Sequence, residues 1–170
     1  MNEKDMFLKT WEREFQTTLK VLRAFPADKL EFKPHERAMT ARNLAWCFPM
    51  EDRMAIQGAV NGRIDMEMEE ENYPKPPATL AEILAAYEKE HRELAGKLKN
   101  LSEADLQKPI PYEMQPGKGD KVRAGDLLWF AVMHGVHHRG QFAVYLRMAG
   151  GKVPAIYGPS ADEPDANWFF

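Results

Sequence analysis

Four stretches of this chain place apolar side chains at intervals of three and four residues, and prolines or glycines bound each of them. That repeat belongs to helices that bury one stripe, and a chain with four such stretches has few alternatives to a helix bundle. The first runs from about residue 4 to 25, with Leu8, Trp11, Phe15, Thr18, Leu22 and Phe25 inward and Pro26 as its stop. Thr40 is placed to cap a second, whose seam carries Leu44, Cys47, Glu51, Met54 and Gly58. Pro49 sits inside that second helix and cannot donate to the Ala45 carbonyl, so a kink or an opened turn is expected close to Cys47. Pro77 or Thr79 opens a third, with Leu80, Leu84, Tyr87, His91, Leu94, Leu98 and Leu101 on one face. The fourth spans about residues 123 to 149 and ends at Gly150 and Gly151.

The segments between these helices read as connections. Pro34 marks an extended loop that also carries His35; Asp65 to Pro77 is acidic and then proline-rich, and should cross the bundle. Lys108 to Lys121, with three prolines and two glycines, reads as a second long connection. No stretch shows a sustained strand-like alternation flanked by hairpin turns. The expected architecture is therefore all-α, a single four-helix domain over residues 1–170.

The balance of residues narrows the partners. A net charge of −3 without a basic face argues against nucleic acid. One cysteine excludes an intrachain disulfide, and no apolar span or basic-then-apolar leader is evident, so a cytoplasmic setting without membrane contact is expected. The run Glu67 to Glu71 reads as a solvated face. The ending Trp168-Phe169-Phe170 reads as a segment packed on a groove or a partner subunit.

The chemistry concentrates in the fourth helix, where three of the five histidines fall within His134–His138. His134 and His138 are four residues apart, so one helical face projects both imidazoles. They continue a seam of Leu127, Ala131, Gln141, Tyr145 and Met148, while His137 lies on the adjoining flank, where a hydrogen bond to a ligand side chain or an interface suits it. A catalytic metal centre needs three protein ligands and an open position, so a third donor must come from another helix. Cys47 and Glu51, one turn apart, are candidates on the second helix, and His91 holds a comparable inward position on the third. Cys47 as thiolate favours zinc; Glu51 makes a harder site that accepts zinc, nickel, manganese or iron. Glu51 also suits a general base, and Arg139 and Gln141 suit holding a carboxylate or orienting a bound water. Without a metal, the same residues read as interhelical hydrogen-bond partners, and Trp46, Trp129, Phe130 and Tyr145 as core or pocket walls.

These residues fall in blocks that resemble the DinB-like family of bacterial four-helix bundles, a group that includes metal-dependent thiol transferases. The blocks are Phe25-Pro26-Ala27-Asp28-Lys29-Leu30, Lys33-Pro34-His35, Asn43-Leu44-Ala45-Trp46, and His134 through Tyr145-Leu146-Arg147. Gly150, Val153-Pro154 and Tyr157-Gly158-Pro159-Ser160 follow. The resemblance implies an up-down-down-up bundle with long crossover loops, a homodimer, and a divalent metal on one second-helix histidine and a fourth-helix pair. His134 and His138 match the pair, whereas the second-helix position is Cys47. Catalysis would then fall to Glu51, Arg139 and Gln141, with zinc or nickel as the metal and a low-molecular-weight thiol as the small-molecule partner. Metal-assisted hydrolysis, and a non-catalytic bundle that keeps only a vestigial site, are the other readings these residues allow.

Overall fold

Polar side chains set where the helices begin. The Asn2 side chain accepts from the Asp5 backbone N–H at 2.8 Å to open α1 (Glu3–Arg23), and Thr40 does the same from Asn43 at 3.1 Å for α2 (Ala41–Asn61). Thr79 opens α3 (Leu80–Leu98) with a reciprocal cap, its hydroxyl on the Glu82 N–H and the Glu82 carboxylate back on the Thr79 N–H. The last helix, α4, runs Ala124–Met148. These elements come from a computed structural model that describes residues 1–64, 74–113 and 118–167. The acidic run Glu67–Glu71 and the ending Trp168–Phe170 lie outside the described residues.

Two apolar clusters reveal how the helices run. One joins Phe15, Leu19 and Leu22 late in α1 to Leu44 and Phe48 early in α2, Ile83 early in α3 and Phe142 late in α4. The other joins Phe7 and Trp11, Ile56 and Ala59, Leu94 and Leu98, and Leu127 and Leu128, the opposite ends of the same helices. So α1 and α4 run one way and α2 and α3 the other, the expected up-down-down-up bundle. Consecutive parallel helices need a return, and the link from 62 to 79 makes it; Gly62, at φ 75°, turns the chain out of α2. The later link is no crossover, because α3 ends and α4 begins at the same end of the bundle.

That later link corrects the reading of Lys108–Lys121 as an irregular connection. After a 3-10 turn at Asp105–Gln107 it forms a two-stranded antiparallel hairpin, β1 (Pro109–Glu113) and β2 (Gly119–Arg123), with Ile110 opposite Val122. Pro109 and Pro111 are tolerated because β1 pairs on one edge alone, and Ile110 anchors the hairpin in the second cluster. Pro49 likewise leaves α2 unbroken from Ala41 to Asn61, so the expected opened turn is absent; buried Phe48 and Met50 on either side hold the helix.

Between the two apolar clusters lies a polar layer to which every helix contributes. Glu14 and Thr18 of α1, Asp52 of α2, Tyr87 of α3 and Arg139 of α4 surround a void of about 20 Å³, the size of one water. Arg139 is only 1% exposed; it donates to the Glu14 carboxylate at 2.5 Å and to the Thr18 hydroxyl at 3.0 Å. Tyr157, from the segment after α4, donates to the same carboxylate at 2.6 Å and touches the guanidinium. The Trp11 indole N–H donates to Asp52 at 3.1 Å. No described helix is long and apolar enough to cross a membrane.

Candidate metal centre

The flank where α2 faces α4 gathers the ionisable side chains. Glu51 reaches between the two imidazoles, with one carboxylate oxygen 2.8 Å from His138 Nε2 and the other 3.1 Å from His134 Nδ1. Cys47, one turn back on α2, completes a compact group with Glu51 and His138 in which one donor atom from each lies within 4.8 Å of the others. Of the expected set, Cys47 and His138 fall in this group, with Glu51 between them, while His134 is not one of its members. His134 adjoins it through Glu51 and is the more open imidazole, stacked against the half-exposed Phe130 ring at 5.0 Å.

Two atoms in this cluster stand out. Glu51 Oε2 and His134 Nδ1 are buried, 3.1 Å apart, and neither makes a hydrogen bond. Buried polar atoms are seldom left so, because each forfeits its water without return. A cation between them satisfies both, and the residues present therefore fit a metal ion. The other imidazole is fixed by its surroundings: His138 Nδ1 lies 3.0 Å from the Gln141 side-chain oxygen while Nε2 faces Glu51. The Glu51 hydrogen bond raises its pKa above the ordinary histidine value. Cys47 is a neutral thiol here; burial, reinforced by the Glu51 charge, pushes its pKa up to about 12, and its S–H donates to the Asn43 carbonyl at 3.4 Å.

The remaining expected residues divide between two faces. Gln141 stands at the rim, its carboxamide oxygen on His138 and its nitrogen 3.0 Å from His137, so it orients the imidazole from outside. Arg139, expected to hold a carboxylate, holds one, but that carboxylate is Glu14 on α1 and not a member of the cluster. His91 faces α1 as well, sandwiched between the Trp11 and Phe15 rings with Nε2 on Glu12 at 2.8 Å. Trp129 packs on the second cluster, and Tyr145 is buried with its hydroxyl on the Met39 carbonyl.

Beside Cys47 opens a cleft of about 370 Å³. Cys47 and Trp46 of α2, Met39 before it, and Pro74 and Pro76 ahead of α3 supply its apolar walls. Cys47 therefore belongs to both the cleft and the cluster. The walls supplied by Met39 and the prolines have no signature in the sequence, since their meeting depends on the crossover; Trp46 is the expected pocket residue that the cleft includes.

The fold is an up-down-down-up four-helix bundle in which Cys47 and Glu51 of the second helix and His138 of the fourth form a group of the kind that can hold a metal ion. The chain belongs to the DinB family, whose model matches residues 1–167. It is similar to YrdA of Bacillus subtilis (strain 168), itself an uncharacterized protein, at 32% identity over 163 residues, covering 94% of this chain and 90% of that protein. Among solved structures it resembles a DinB-like protein from Bacillus cereus, with a TM-score of 0.73 and 25% identity over 89% of this chain and 95% of the other. A second is the DinB-like protein YjoA of Bacillus subtilis, with a TM-score of 0.70 and 19% identity over 89% of this chain and 97% of that one.

Proposed function

We propose that the protein holds one divalent ion, zinc or nickel, on Cys47, Glu51, His134 and His138 with a fifth coordination position left open, and serves as a transferase for a low-molecular-weight thiol that takes that position. The observation that carries this reading is the pair of buried, unbonded atoms, Glu51 Oε2 and His134 Nδ1, facing each other at 3.1 Å inside a sulfur, oxygen and nitrogen donor set. Such a mixed set suits a borderline dication better than magnesium or calcium. When bound, the ion lowers the pKa of a coordinated thiol enough to keep it a thiolate near neutral pH. Gln141 keeps the His138 ring turned so that Nε2 faces the cluster, and Glu51 neutralises much of the positive charge. Cys47 sheds its proton on joining, so loading releases protons and weakens as pH falls. In the transfer, the thiol sulfur forms a bond to the electrophile's carbon, the leaving group departs with the old bonding pair, and the thiol proton passes to solvent.

Metal content of untagged protein, measured by elemental mass spectrometry after incubation with zinc or nickel, tests the site. Near-stoichiometric metal is expected in the native chain, and none in Glu51→Ala or in His134→Ala/His138→Ala. With cobalt in place of zinc, a sulfur-to-metal charge-transfer band is expected that Cys47→Ala removes and an added small thiol restores. A native chain that takes up no metal overturns the reading; a band that no thiol restores overturns the transferase.

A further inference from the structure

The cleft beside Cys47 is built to stay open. The Trp46 indole N–H donates to the Pro74 carbonyl at 2.6 Å, which pins the ring against the segment that forms the facing wall. Pro74 and Pro76 fix their own backbone torsions, so that wall resists collapse onto the indole. The result is a slot with one flat aromatic face, a pliable Met39 thioether, and two pyrrolidine rings. Its size is that of a small-molecule site rather than of a gap between side chains. Among the described residues, the polar side chains that border it are Asn43, a hydrogen-bonding amide, and Lys75, an exposed cation, with no carboxylate among them. An apolar slot with a cation at its rim complements a molecule with a flat apolar body and one acidic group.

We propose that this cleft binds a small amphiphilic anion, its apolar or aromatic body on Trp46 and Met39 and its acidic group at Lys75. Because Cys47 is shared with the metal cluster, the molecule bound here is the electrophile that receives the thiol; that role rests on the transferase reading, whereas the binding itself does not. The cleft thus selects the acceptor by its flat body and charge, and leaves the thiol to the cluster.

Fluorescence titration of the full chain with anilinonaphthalene sulfonate and with its uncharged counterpart phenylnaphthylamine separates these contributions. Saturable binding of the sulfonate is expected. Lys75→Ala should weaken it about fivefold, the scale of one exposed ion pair, and leave the uncharged probe unchanged. Trp46→Ala should weaken both, and Met39→Trp, which fills the slot, provides the same test should Trp46→Ala lose its helical circular dichroism. Lys75→Ala without effect on either probe, or Met39→Trp that binds both as well as the native chain, overturns the proposal. Metal content measured on the same samples keeps the two readings apart. Charge-dependent probe binding in zinc-free Glu51→Ala upholds the cleft even where the metal reading fails, and retained zinc with probes insensitive to these substitutions overturns the cleft alone.

Discussion

At the scale of single residues, Asp52 shows what the polar layer costs. Burial, with Glu51 and Glu90 adding to it, raises its pKa to about 7 against the pull of the Trp11 hydrogen bond. A carboxyl whose folded pKa lies above its unfolded value of 3.8 stabilises the fold below that value and loses the contribution as pH rises towards about 7. Asp52→Asn keeps an oxygen for the indole and removes the titration. The variant and the native chain should melt alike near pH 4, and the variant several degrees higher near pH 8; parallel melting curves would exclude the shift. Sequence placed Glu51 on the correct helix and turn, because spacing alone fixes which residues share a face with Cys47. It did not reveal Glu51 at the centre of the cluster or Arg139 turned to Glu14, since partner choice across helices depends on their mutual rotation.

Elements differ in how much of that rotation their sequence contains. The stripe of α3 is bordered by charged residues, and Leu80, Tyr87, His91, Leu94 and Leu98 are buried as their spacing requires. Its start is equally local, and Thr79→Ala, which breaks the reciprocal cap, should cost about 1 kcal/mol by chemical denaturation; no loss would show that packing alone fixes the start. By contrast, α4 is apolar on nearly every side, with Phe130, Met133, Val144 and Met148 exposed while Leu128, Phe142 and Leu146 are buried. A seam through Gln141 and Met148 fits its pattern as well as the true one through Arg139 and Phe142 does. The hairpin was illegible for another reason: its only apolar cross-strand pair is Ile110 with Val122, between prolines and glycines that signal a loop.

For the molecule as a whole, the layer of Glu14, Thr18, Asp52, Tyr87 and Arg139 does something the apolar clusters on either side cannot. Greasy surfaces of similar texture tolerate sliding: a helix displaced by one turn, about 5.4 Å, still meets hydrocarbon. A guanidinium displaced by one turn loses the Glu14 carboxylate and the Thr18 hydroxyl that accept from it, and that carboxylate loses its buried counter-charge. The layer therefore works like the notch on a key, fixing the axial register of four helices so that Glu51 arrives level with His134 and His138. Glu14→Leu/Thr18→Val/Arg139→Leu should melt no lower than the native chain yet give broadened amide resonances and a weakened metal site; sharp, dispersed resonances with full metal content would show that the apolar clusters hold the register unaided. Seen this way, the most deeply buried charge in the bundle belongs to its alignment: the protein has traded some freedom in its core for certainty about which turn of α2 faces which turn of α4.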